Sequence, residues 1–137
     1  MEQPQIFSQR PDRDEYWFHE GCFVTELVNS PVDEALSVAR IRVPPDGKTR
    51  WHALAGISER YVILAGHGEV ELGGHPPRPV TAHDVVLIPP DCPQRICNTG
   101  AADLEFLALC TPRFVPEAYR DLDDSAPRSP DGAESDS

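Results

Sequence analysis

The sequence predicts an all-β sandwich or barrel, and three observations carry that expectation. Short stretches rich in β-branched and aromatic residues recur along the chain, Gly- and Pro-containing turns separate them, and no stretch has the apolar period of a long helix. The length of 137 residues suits one domain with a modest core. The expected division is an N-terminal extension over 1–15, a barrel over 16–120 and an acidic, disordered tail over 121–137.

The polar lead from Met1 to about Asp14 has too few apolar residues to pack alone, although it can lie along a sheet edge or a partner chain. YWFHEGCFVTEL, residues 16–27, reads as a strand or strand pair bent at Glu20-Gly21. LSVARIRV, residues 36–43, alternates Val38, Arg40 and Arg42 against Ser37, Ala39, Ile41 and Val43, and Pro44-Pro45-Asp46-Gly47 then turns the chain. Next come TRWHAL and ERYVILAG, followed by EVEL after Gly66-His67-Gly68. DVVLIP is mostly apolar, which predicts burial on both faces or against a second sheet. QRICN alternates Gln94, Ile96 and Asn98 against Arg95 and Cys97, and LEFLALC is the last strand. The expected core includes Val38, Ile41, Val62, Ile63, Val86, Ile88, Ile96, Phe106 and Leu107.

Composition excludes some functions. A net charge of -11 opposes nucleic-acid binding, which needs a Lys/Arg surplus to neutralise phosphates. The sequence has no apolar run of about 18 residues and no charged-then-apolar leader at its start, so a cytoplasmic protein with no membrane partner is expected. Cys22, Cys92, Cys97 and Cys110 form no C-x-x-C pair and read as free thiols in a reducing compartment.

The chemistry concentrates between Gly47 and Gly66. Alternation puts Arg50, His52 and Leu54 on one face of TRWHAL, and Glu59, Tyr61 and Ile63 on one face of ERYVILAG. Pairing these as an antiparallel hairpin brings His52 and Glu59 together. Arg50 can aim a guanidinium at a ligand carboxylate or phosphate, or form an ion pair. Tyr61 can hydrogen-bond a ligand or simply fill the core. Trp51 points away, toward the second sheet or a partner subunit; with the apolar N-terminal strand it offers material for a homodimer.

The spacing resembles the cupin superfamily. The first motif of that family, G-x5-H-x-H followed by E and then G, is similar to Gly47, His52, Glu59 and Gly66 here. The second, near G-D-x4-P-x-G-x2-H-x3-N, is similar to HDVVLIPPDCPQRICN at 83–98. The resemblance implies a double-sheet jelly-roll barrel over roughly residues 20 to 115. It also implies a ligand set of His52, Glu59 and Gln94 around a divalent Fe, Mn or Zn ion. Leu54 stands where the family has its second histidine, Gln94 where it has its third, and His83 and Asp91 replace glycines.

Two readings of the site stay open. In one, the barrel binds a small polar molecule through Arg50, His52, Glu59, Tyr61 and Gln94 without catalysis, and His52, Glu59 and Gln94 satisfy one another by hydrogen bonds. In the other, the chain is an enzyme similar to metal-dependent sugar-phosphate isomerases, dioxygenases or lyases, with Glu59 as ligand or general base and His52 as ligand or proton shuttle. A metal-free enzyme using the His52/Glu59 pair for proton transfer is a variant of the second.

Overall fold

Each turn signal in the sequence ends a strand in the structure, a computed structural model that describes residues 3–123. A single helical turn, α1 (Pro11–Asp14), begins with a proline, whose missing N–H costs nothing there. The strands are β1 (Tyr16–Phe18), β2 (Cys22–Val28), β3 (Ser37–Val43), β4 (His52–Leu54), β5 (Ser58–Ala65) and β6 (His67–Leu72). They continue as β7 (Arg78–Thr81), β8 (Val85–Ile88), β9 (Gln94–Asn98), β10 (Leu104–Thr111) and β11 (Tyr119–Asp121). A six-stranded antiparallel sheet in the order β1-β2-β3-β10-β5-β8 faces a five-stranded one in the order β11-β4-β9-β6-β7. This is the double-sheet jelly roll that the cupin resemblance implies.

The inner faces of the two sheets make one core of Val24, Ile41, Val43, Ile63, Val86, Ile88, Ile96, Leu104 and Phe106, among others. Leu54, Ile57, Cys110 and Ala118 form a second cluster. Three expected core residues, Val38, Val62 and Leu107, are only half-buried. Val62 neighbours Ile63 and Leu107 neighbours Phe106, and a period of two cannot turn both members of an apolar doublet inward. The registers agree: Val62 pairs Leu107 and Val38 pairs Leu109, so these side chains share the outer face.

Of the two placements expected for DVVLIP, β8 takes the second: Val86 and Ile88 are buried in the core between the sheets, while Val85 and Leu87, 64% and 62% exposed, face outward from this edge strand beside β5. One expectation is corrected: β4 and β5 are not a hairpin. β4 pairs with β9 and β11, whereas β5 lies in the opposite sheet between β10 and β8. Residues Ala55 to Ile57 carry the chain from one sheet to the other, and Gly56 supplies the positive φ of 72° at that corner. His52 and Glu59 therefore approach across the barrel and not along one sheet.

Local backbone geometry supports the alignment of the second motif. His83 and Asp91, which replace its glycines, both have left-handed φ, 77° and 66°. The turns still require the glycine conformation, and an L-residue there is strained. Gly66, which ends the first motif, has φ 89°, and a Cβ on it would lie 2.5 Å from the Asp103 carbonyl.

The chain that closes the barrel extends past the expected boundary at residue 120. Asp121 belongs to β11, and Asp121 and Asp123 both bind β4 or the residues just before it. The expected disordered segment from 124 onward lies outside the described residues. Trp51 is half-buried, with the Arg95 guanidinium 4.5 Å from its ring centroid. Exposed apolar side chains instead gather on β5 and β8, at Leu64, Val85 and Leu87.

Phe106→Ala should lower unfolding free energy by about 3–5 kcal/mol, and Leu107→Ala, on the outer face of the same strand, by about 1 kcal/mol or less. Urea denaturation of the two variants checks the inward and outward assignments. His83→Gly should raise stability by about 0.5–1 kcal/mol, because it removes left-handed strain from an exposed turn.

Candidate functional site

His52 opens β4 with its side chain inside the barrel, 2% exposed. Its Nδ1–H donates to the Arg50 carbonyl at 2.7 Å, and its Nε2 lies 2.9 Å from Glu20 Oε1. Both partners are acceptors, so both ring nitrogens carry hydrogen and the ring is an imidazolium paired with a carboxylate. Burial opposes this charge, but the Glu20 carboxylate outweighs it and holds the ring at a pKa of about 9. Burial likewise pushes Glu20 up, and His52 with the Cys22 thiol brings it below the usual carboxylate range. The Tyr119 ring stacks on His52 at 5.3 Å, which excludes water from the pair.

Glu20 is the residue that sequence reasoning missed. It sits in the β1–β2 turn, where alternation gives no facing, and its significance as a bend residue hid its carboxylate. Gly21, at φ 108°, is what lets the turn fold inward: a Cβ there would meet the Lys48 carbonyl at 2.7 Å. A second tie fixes the same corner, since Arg50 N–H donates to the Glu20 carbonyl at 2.7 Å.

Glu59, Tyr61 and Gln94 lie where alternation places them. Gln94 stands opposite His52 in the β4–β9 pair, and the Tyr61 hydroxyl donates to Gln94 Oε1 at 2.6 Å. That bond fixes the amide so that its NH2 remains to face Glu59. Glu59 is buried, its Oε2 accepts from the Cys110 thiol at 3.9 Å beside the Gln94 amide, and its Oε1 has no hydrogen-bond partner among the described residues. Burial first, then the nearby Glu20 charge, push its pKa up to about 7, against the pull of His52, Gln94 and Cys110. A buried carboxyl that changes charge near neutrality can give or take a proton at working pH.

Arg50 does not face a ligand. Its Nε and Nη2 donate to the Asp121 carboxylate at 2.9 and 3.0 Å, and Nη2 also donates to the Asp123 carbonyl. The sequence placed Arg50 on the His52 face correctly in register, but could not show that the chain end returns to pair with it.

The structure thus brings together His52, Glu59, Tyr61 and Gln94, and adds Glu20, Cys22, Cys110 and Tyr119. A divalent metal fits this set poorly. His52 offers no free nitrogen lone pair, Gln94 uses its carbonyl oxygen for Tyr61, and Leu54 is packed with Ile57, Cys110 and Ala118. Among the described residues no group of three or more His, Cys, Asp and Glu side chains has metal-site geometry.

A cavity of about 90 Å³ opens beside this cluster, under the inner face of the six-stranded sheet. Glu20 and Glu59 reach it from the site, and Phe18, Ile41 and Phe114 form part of its apolar wall.

A family model described as the cupin domain matches residues 39–110. The chain belongs to the cupin family. An oxalate-binding protein of Thermotoga maritima is 36% identical over 77 residues, which is 56% of this chain and 63% of that protein. The match therefore spans a little less than two thirds of that relative. Among solved structures, a predicted oxalate decarboxylase from Thermotoga maritima superposes with a TM-score of 0.68 at 26% identity, covering 76% of this chain and 97% of that one. A Streptomyces PAC13 variant with uridine gives 0.71 at 17% identity over 87% and 92% of the two chains, a likeness of fold alone. This cupin also has, among its described residues, no helix long and apolar enough to cross a membrane.

The pKa directions fix a pH dependence. Glu59 is raised from 4.5 to about 7, so its contribution to stability is full below pH 4.5 and is lost as pH rises through about 7. His52, raised from 6.5 to about 9, contributes fully below pH 6.5 and loses its share as pH rises through about 9. Glu20, lowered, works the other way: its contribution is present above pH 4.5 and lost on acidification through its folded value. Glu59→Gln should remove the fall in urea midpoint between pH 5 and 7 and leave the alkaline fall in place. His52→Ala, which strands Glu20 without its partner, should cost about 3–5 kcal/mol at neutral pH.

Proposed function

We propose that this chain is a small-molecule-binding cupin whose ligand sits in the barrel cavity against Glu59, without a divalent metal to hold it. One observation carries this reading: Glu59 lines the cavity, and its buried Oε1 has no hydrogen-bond partner among the described residues. An unmet buried acceptor costs about 1–3 kcal/mol, and a ligand that donates to it recovers that cost. Such a group is a reason for a cavity to be filled. Glu20 and His52 neutralise each other beside it and fix its electrostatic setting. Tyr61 and Gln94 act behind Glu59 as positioning residues, and Arg50 ties the chain end to β4.

The same carboxyl group favours one second reading, a metal-free enzyme. A pKa of about 7 lets Glu59 act as general acid or base toward a bound molecule, with His52 setting its charge state through Glu20. The metal-dependent reading that the family resemblance implies has the weaker support, because His52 and Gln94 lack free donor atoms.

The test is a fragment screen by ligand-observed NMR, run with and without EDTA, on wild type and on Ala108→Leu, which narrows the cavity from its wall. Hits should survive EDTA and weaken at least about tenfold in the variant, a change of about 1.4 kcal/mol. Hits that need metal, or that ignore Ala108→Leu in a variant with wild-type circular dichroism, would contradict the proposal.

A homodimer and a cytoplasmic location remain part of the proposal. The apolar side chains Leu64, Val85 and Leu87 at the open β8 edge are better material for a two-fold contact than Trp51. Light scattering should give twice the chain mass for wild type and the single-chain mass for Leu87→Lys.

A further inference from the structure

The walls of the barrel cavity carry charge of one sign. Glu20, Glu26 and Glu59 line it, and among the described residues no Lys, Arg or His side chain does. His52, the nearest cation to Glu59 in the site, is already bound by Glu20 at 2.9 Å. At the rim, Asn29 is reached by Arg113, but Arg113 Nε is itself 3.3 Å from Glu34. The arginines of β3, Arg40 and Arg42, bind Glu15, Glu105 and Asp103 on the outer face. No basic group is left to meet an anion inside.

The remaining surface is aromatic and aliphatic, with Phe18 and Phe114 among the side chains on it. Aromatic faces attract cations through their quadrupoles, and a carboxylate beside them adds a directional acceptor. The Glu59 carboxyl group, 8% exposed at the cavity and with Oε1 lacking a partner among the described residues, supplies that acceptor. A dicarboxylate would face Glu26 and Glu59, with Glu20 already paired to His52 and no basic side chain in the described lining to neutralise it, and burying an unpaired charge is strongly unfavourable.

We propose that the cavity selects a small organic cation, a protonated amine that donates to the Glu59 carboxylate while its apolar part lies against Phe18, Ile41 and Phe114. The proposal rests on the small-molecule reading above and adds the chemical class. It sets this cupin apart from the oxalate-binding relative by ligand charge. The small cavity, about 90 Å³, limits the ligand to a few heavy atoms inside, with any larger portion leaving through the mouth near Tyr16 and Glu26.

Four probes of one size range decide it: isobutylammonium, isobutanol, isobutyrate and oxalate, titrated at pH 7.5 and followed by protein amide shifts in NMR. Isobutylammonium should bind at least about tenfold more tightly than isobutanol, and the two anions should be weaker still. Glu59→Gln, which keeps the shape and removes the charge, should abolish the preference for the ammonium over the alcohol. Ala108→Leu should weaken isobutylammonium while leaving Glu59 in place. If isobutyrate or oxalate binds as tightly as isobutylammonium and Ala108→Leu weakens it, the cation class is wrong and the small-molecule reading stands. An ammonium preference unchanged in Glu59→Gln also overturns the cation proposal. If no probe binds and the fragment screen is empty, both are wrong.

Discussion

The ion pair between Glu20 and His52 is the constraint on which the site depends. It joins the β1–β2 turn to the first residue of β4, two parts of the chain that share no strand ladder. Buried pairs of this kind contribute little net stability compared with an apolar substitute, because desolvation offsets most of the attraction. What the pair does is specify. It holds a positive ring and a negative carboxylate at fixed places in a low-dielectric interior, and buried groups beside it respond. Glu59 is pushed toward neutrality by burial and by Glu20, and the Cys22 and Cys110 thiols are pushed up by burial and by the carboxylates beside them.

The same constraint explains why a family of metal barrels contains a chain whose polar interior closes on itself. Leu54 removes one imidazole and Gln94 another. The remaining histidine then needs a partner in place of an ion, and Glu20 supplies it while Tyr61 saturates the Gln94 oxygen. The substitutions, read with these bonds, form a consistent set in which nearly every buried polar atom of the cluster is satisfied. Glu59 Oε1 and the Tyr119 hydroxyl are its exceptions among the described residues, and of these two residues only Glu59 lines the cavity.

Most of the fold was legible from period-two alternation and from turn residues, since both are local. The inward faces of β5 and β9 followed directly: Glu59, Tyr61 and Ile63 on one, Gln94, Ile96 and Asn98 on the other. Which strands pair is a long-range matter, and there local reasoning failed. The short link after β4 looks like a hairpin turn in sequence but crosses between sheets. Edge position was equally invisible, so for β8 the sequence could not choose between burial on both faces and the one-sided packing that it has. In the site, the residues on strands were found and those on turns or at the chain end were not. Glu20, Tyr119 and Asp121 reach His52 or Arg50 only through tertiary folding, and no spacing in the sequence connects them.

The β11 strand has a consequence for how the protein is made. β4 meets β9 at a single register pair, His52 with Gln94, whereas β11 pairs with all three of its residues. Tyr119 covers His52, Asp121 clamps Arg50 and Asp123 accepts the Trp51 N–H. The strand that carries the histidine therefore waits for the last described residues of the chain. During synthesis the barrel wall of β2, β3, β5 and β10 has its partners before residues 119–123 leave the ribosome, and the polar interior stays wet until they do. Completion of the site is thus tied to the emergence of residues 119–123, and a nascent chain stalled short of Tyr119 has a sheet but no sealed histidine.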